Sequence, residues 1–119
     1  TDFGNLTRIT NGGAGGCSSA TRGVFFINPD GSNHIQYITI ASTGNATNFG
    51  DVSTNSSSGM TGAVSSRVRG VTPVGHVGSV VNNLEKITID TAANSTDFGD
   101  LSVARYGVAG CSNDHGGLQ

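Results

Sequence analysis

The chain has 119 residues, about one small domain's worth, and a formal charge of -2. Only 34% of residues are hydrophobic and 12% are charged, while 19 are glycine and roughly a third are Ser, Thr or Asn. These values exclude charge-driven disorder, a basic nucleic-acid footprint (Lys and Arg total 6 and are scattered) and an apolar run of the roughly 20 residues that a helix needs to span a bilayer. They favour many short strands joined by tight polar turns, where Gly supplies unusual backbone angles and Asn, Asp and Ser supply local hydrogen bonds.

In chain order, Thr1-Asp2-Phe3-Gly4 is polar and carries neither an initiator Met nor a signal peptide, so the sequence reads as a fragment or a processed product. Gly12-Gly13-Ala14-Gly15-Gly16 is Gly-rich, but no Lys-Ser/Thr and no helix follow it, so a bulge or tight turn is expected rather than a phosphate loop. Cys17 and Cys111 allow one disulfide, or two small buried side chains at matching places. Gly23-Val24-Phe25-Phe26-Ile27 predicts a strand, and Asn28 to Asn33 a turn. Asp30-Gly31-Ser32-Asn33 offers oxygens to calcium but lacks the loop spacing and the bidentate Glu. Ile35 to Ile40 is the clearest strand, with β-branched residues interleaved with polar ones. Its counterpart is Leu84 to Ile89. Gly70-Val71-Thr72-Pro73-Val74 predicts an edge or irregular strand, because Pro cannot donate to a ladder. Leu101 to Ala104 and Tyr106 to Cys111 predict two further short strands, and no stretch shows a helical period with caps.

Self-similarity is the strongest signal. Thr1-Asp2-Phe3-Gly4-Asn5-Leu6 returns as Thr47-Asn48-Phe49-Gly50-Asp51-Val52 and again as Thr96-Asp97-Phe98-Gly99-Asp100-Leu101. Gly16-Cys17-Ser18 matches Gly110-Cys111-Ser112, Arg22-Gly23-Val24 matches Arg69-Gly70-Val71, and Ile38-Thr39-Ile40 matches Ile87-Thr88-Ile89. Asn45-Ala46-Thr47 matches Asn94-Ser95-Thr96, and the copies recur about 46 to 49 residues apart. The expected fold is all-β, built of tandem four-stranded antiparallel units: residues 1-46, a degenerate unit 47-95, and a partial unit 96-119. The degeneracy lies at Thr54 to Ser58 and Gly75 to Gly78, which suits either variable surface or drift in a tolerant loop. Recurrence gives Phe3, Phe49 and Phe98 a shared structural task, one core anchor per unit, with Gly4, Gly50 and Gly99 permitting the turn.

The ordered features resemble a kelch-type β-propeller repeat. Phe98, Leu101, Arg105 and Val108 to Cys111, followed by Gly23 to Ile27 and Tyr37 to Ile40, stand where that family has an aromatic turn, a strand and Arg, a small-residue strand, a Gly-rich strand and a closing hydrophobic strand. The sequence departs from the family in three places. Phe3, Phe49 and Phe98 replace its Trp. Phe26-Ile27 and Pro73-Val74 replace its double glycine. Arg105 has a loose partner in Arg8 and none in the middle unit. The Ile-Thr-Ile, Asn-Ala-Thr, Phe-Gly-Asp-Leu and Ala-Gly-Cys-Ser segments are also similar to repeats in structural proteins of marine tailed phages, cyanophage tail fibres in particular. These resemblances imply a partial propeller, or stacked β-layers in a trimeric fibre, with a virion or host-contact role. A propeller closes with roughly 4 to 8 blades, so the chain is expected to belong to a longer protein or to a homo-oligomer; three copies supply about seven.

No catalytic, cofactor or metal site is expected. His34, His76 and His115 lie far apart without ligand spacing, and Cys111-Ser112-Asn113-Asp114-His115 reads as a polar turn. Glu85 is the sole Glu, which excludes a Glu/Glu acid-base pair. Asn5, Asn45, Asn55 and Asn94 each open an Asn-x-Ser/Thr sequon, relevant only where a glycosylating pathway exists. The expected function is a non-enzymatic structural or adhesive module on a virion or in an extracellular setting, presenting loops to a host-surface glycan or protein receptor. It is expected to involve neither nucleic acid nor membrane insertion. An intracellular protein-binding kelch propeller and a propeller enzyme are the alternatives.

Overall fold

The computed structural model describes residues 1–8, 13–27, 33–54, 60, 62–105 and 107–112, and no helix occurs among them. The strands are β1 (Gly15–Ser18), β2 (Arg22–Phe26), β3 (His34–Thr39), β4 (Thr47–Asp51), β5 (Val64–Ser65), β6 (Arg69–Pro73), β7 (His76–Val77), β8 (Ser79–Val80), β9 (Asn83–Thr88) and β10 (Thr96–Asp100). Sheet 1 has the order β1-β2-β3-β4 and sheet 2 the order β5-β6-β9-β10, all antiparallel, while β7 and β8 form a small hairpin between β6 and β9. The chain is thus all-β, with two tandem four-stranded units.

The same local chemistry builds both sheets. Ser19 N–H donates to the Arg22 carbonyl at 2.9 Å, and Ser66 N–H to the Arg69 carbonyl at 2.8 Å, which closes the first hairpin of each sheet. The two serine hydroxyls accept from the Arg22 and Arg69 amides at 3.2 and 3.1 Å, a side-chain turn that Ser favours. The β2-β3 register, with Arg22 opposite Thr39 and Phe26 opposite Ile35, repeats as Arg69 opposite Thr88 and Pro73 opposite Leu84. Each closing strand carries a bulge. Gly50 pairs with Ile35 and Asn48 with Gln36, leaving Phe49 as the extra residue; Phe98 is the extra residue between Asp97 and Gly99.

The sheets differ from expectation in four places. The Phe-Gly-Asp segment lies inside β4 and β10 rather than forming a turn before a strand, because a bulge followed by Gly lets the aromatic residue stay in the ladder. Leu101 to Ala104 accordingly follow the closing strand and are not in one themselves. Of the strand expected over Tyr106 to Cys111, residues 107–111 form none, although the matching segments are β1 and β5, and Tyr106 lies outside the described residues. Pro73 ends an interior strand, but β5 pairs only with Val71 and Gly70, so its missing N–H faces no ladder partner and the position is locally an edge. The turn residues Asn28 to Ser32 lie outside the described residues, and Asn33 beyond them donates its side-chain amide to the Val52 carbonyl.

Register sorts each sheet into two faces. On sheet 1, Cys17, Val24 and Tyr37 form one row and Phe26 and Ile35 the next. This front face joins Phe49, Val52, Met60, Val74, Ile87 and Ile89 in one core. The covering surface is the back face of sheet 2, where Gly70 lies opposite Ile87 and Thr72 opposite Glu85. The approach is close: a Cβ on Gly70 would stand 2.5 Å from Cys17 Sγ. The core therefore lies between the units, as tandem repeats require.

Candidate functional site

The feature with the most specific chemistry is the seam between units. Asp51 N–H donates to Asn94 Oδ1 at 3.0 Å, and Ser95 N–H returns a bond to the Asp51 carbonyl at 2.9 Å. The same pair of bonds links Asn5 to the loop before β4: Asn5 N–H to Asn45 Oδ1 at 3.0 Å, and Ala46 N–H to the Asn5 carbonyl at 2.9 Å. Gly44 N–H adds a bond of 2.8 Å to the Phe3 carbonyl. Glycine is obligatory in both seats. Gly4 and Gly50 have φ of 147° and 150°, and a Cβ on either would overlap the carbonyl of Gly44 or Ala93.

A buried polar side chain reinforces each seat. Glu85 is 2% exposed, and its carboxylate oxygens accept from the hydroxyls of Ser53, Thr54 and Ser95 at 2.6, 2.8 and 2.6 Å. Gln36, its counterpart in sheet 1, is 1% exposed and accepts from Thr7 N–H at 2.9 Å. Both hold the chain just past a Phe-Gly-Asx segment, and these hydrogen bonds offset part of the penalty of burying the oxygens. Arg22 completes the seam: its guanidinium lies 4.4 Å from the Tyr37 ring centroid and donates to the Ile89 carbonyl at 3.1 Å. Ser19 Oγ donates to Asp90 Oδ1 at 3.2 Å.

Two grooves mark the opposite side of sheet 2. An apolar one of about 300 Å³ lies on its front face, lined by Val64, Val71, Pro73, Leu84, Phe98 and Leu101 together with Val108 to Gly110. A mixed one of about 320 Å³ is lined by Arg69, Lys86, Thr88, Thr91, Asn94 and Thr96 with Ile87 and Ala93. Arg69 and Lys86 stand 5.9 and 5.8 Å from the Phe98 ring centroid.

The expectation that three phenylalanines anchor a core holds for one of them. Phe49 is 3% exposed and meets Tyr37 edge-on at 6.0 Å, whereas Phe3 is 38% and Phe98 46% exposed. Phe49 lies between the sheets; Phe98 occupies the same bulge on a front face that no sheet covers among the described residues. The cysteines are free thiols, so no disulfide joins them. Cys17 is half-buried at the seam, and burial pushes its pKa up to about 11. Cys111 is exposed, against the expectation of a buried small side chain.

His34 and His76 lie in different sheets. His34 Nδ1 sits 2.7 Å from Asp51 Oδ1 on paired strands, and His76 lies on β7. His115, Asp114 and Asn113 lie outside the described residues, as do Asp30, Gly31, Ser32, Gly12 and Asn55. Among the described residues no cluster of three or more His, Cys, Asp or Glu could hold a metal. No helix there is long and apolar enough to cross a membrane. Asn5, Asn45 and Asn94 use their sequon positions for the seam. Their role is signalled in the sequence by an Asn-x-Thr before each later Phe-Gly-Asp, whereas nothing distinguished Glu85 as a buried acceptor. No protein-family model, curated protein or solved structure matches the chain.

Proposed function

We propose that the chain is a non-enzymatic structural and adhesive β-repeat module of a phage tail fibre or a similar extracellular appendage, with stacked sheets of the kelch-like propeller kind as its scaffold. In this reading its loops contact a host-surface glycan or protein receptor. The observation that carries the reading is a pair of equivalent exposed loops, one per unit. Residues 39–45 and 88–94 are exposed throughout, save Ile89, and carry Thr39, Ser42, Thr43 and Asn45 in one copy and Thr88, Asp90, Thr91 and Asn94 in the other. Hydroxyl and amide groups held at fixed spacing on sheet ends suit many weak hydrogen bonds to a polyhydroxylated surface, and the second loop raises the effective concentration for the first.

Retention of the purified chain on host cells and on a glycan panel tests the reading. Replacing Ser42, Thr43 and Thr91 by Ala, none of which contributes a side chain to the core, is expected to lower retention at least about tenfold. Retention on neither cells nor glycans would leave an architectural role only.

A further inference from the structure

Among the described residues, sheet 2 leaves one half of the inter-sheet interface unmatched, and the matching half on sheet 1 is held by the N-terminal segment Thr1 to Thr7. The front face of sheet 1 is covered by the back face of sheet 2. The front face of sheet 2 is an open apolar groove. The back face of sheet 1, where Gly23 lies opposite Ile38 and Phe25 opposite Gln36, is the counterpart of the surface that does the covering. The groove and the back face, on which Thr1 to Thr7 are seated, are thus complementary by the chain's own precedent.

The three Phe-Gly-Asx segments show what passes between such faces. Thr47 to Val52 is seated on residues 93–95, and Thr1 to Leu6 is seated by the same bonds on residues 44–46. Thr96 to Leu101 is the third copy. Gly99 has φ of 142°, like Gly4 and Gly50, yet a Cβ on it would meet nothing within 4 Å. Its backbone therefore has the conformation of the two seated copies. The inner strands repeat the pattern: a Cβ on Gly15 would touch the Met60 carbonyl, and one on Gly62 would overlap the Val108 carbonyl, so residues 108–112 stack on β5 as β5 stacks on β1. Ser65 N–H donates to Ser112 Oγ at 3.4 Å.

We propose that a second copy of the chain docks head to tail on this face by exchanging segments. Thr96 to Leu101 of one copy takes the seat that Thr1 to Leu6 holds on residues 44–46 of the next. Ala109 to Ser112 enters beside β2 of that next copy in place of its β1. Asp100 N–H then donates to Asn45 Oδ1 of the next copy, Phe98 is buried as Phe49 is, and Cys111 replaces Cys17 against Gly70. The interface is heterologous, so it builds a ring or an open filament rather than a two-fold dimer. The proposal goes beyond receptor contact, and either idea can fail while the other stands.

Sedimentation of the 119-residue chain over a concentration series, with timed alkylation of its two thiols, tests it. Species at multiples of 12.0 kDa are expected, and Cys111 labelling should slow while Cys17 labelling quickens as concentration rises. Gly4→Val, whose side chain overlaps the Gly44 carbonyl and so expels Thr1 to Leu6, should lower the half-association concentration by roughly tenfold. Phe98→Ala should raise it by roughly tenfold, because a buried aromatic anchor is lost. A 12.0 kDa species up to about 1 mM in both the wild type and Gly4→Val, with thiol labelling independent of concentration, would overturn the proposal. So would association that Phe98→Ala leaves unchanged. If Gly4→Val does not fold, the wild-type thiol rates decide the matter.

Discussion

Sheet 1 and sheet 2 pair their strands in the same order, close their first hairpins with an equivalent serine and bulge their last strands at an equivalent phenylalanine, yet their front faces meet different surroundings. Phe49 has a sheet against it and vanishes into the core; Phe98 has an open groove and two cations near its ring. Tyr37, which meets Phe49 edge-on, is replaced by Lys86, and Phe26 by Pro73. The buried acceptors differ as well. Gln36 holds one backbone amide, whereas Glu85 gathers three hydroxyls. Local structure is therefore copied faithfully from unit to unit, and energetic weight is assigned by what lies opposite.

That contrast is sharpest at the two phenylalanines. Phe49→Ala should cost about 3 to 5 kcal/mol in urea unfolding, because it opens a cavity in a packed seam. Phe98→Ala should cost less than about 1 kcal/mol in the monomer, since its ring already meets solvent. Equal losses would show that the two bulges are not governed by their neighbours.

The acceptors come next. Glu85→Ala leaves the hydroxyls of Ser53, Thr54 and Ser95, the last of them buried, without their acceptor and should cost about 2 to 3 kcal/mol. Gln36→Ala removes one acceptor and should cost about 1 kcal/mol. A Glu85→Ala loss no larger than that of Gln36→Ala would mean that the three hydroxyls find other partners.

The smallest expected effect lies at the Cys17 thiol. The Cys17 pKa rises from 9.0 in the unfolded chain to about 11 in the fold. The unfolded state therefore loses its proton first, and the stabilising contribution is complete below pH 9 and disappears as pH climbs towards 11. The wild type should lose up to about 2 kcal/mol more than Cys17→Ala across that window. Indistinguishable pH profiles for the two proteins would place Cys17 in water rather than in the seam.

Much of the architecture was legible from residues. The 3-residue echoes Ile38-Thr39-Ile40 and Ile87-Thr88-Ile89 lie in or beside β3 and β9, and the Arg22-Gly23-Val24 echo opens β2 and β6. Strand boundaries were less legible where Gly dominates, because glycine marks turns, bulges and close approaches alike. Phe-Gly-Asp was therefore expected as a turn and is instead the bulged end of a strand. The seam partners Asn45 and Asn94 carried a sequence signal in their spacing. Glu85 carried none, since alternation along β9 assigns it a face but not the chain that crosses that face.

Repetition, short β-branched segments and a scarcity of charge were enough to specify β units in tandem. They could do so because pairing between neighbouring strands depends on local turn chemistry and on side-chain alternation, both written within a few residues. Which of three identical phenylalanines is buried, which thiol is shielded and which glycine meets a carbonyl depended on the packing of one sheet on another. Burial is a property of the opposing surface, and that surface comes from residues far away in the chain.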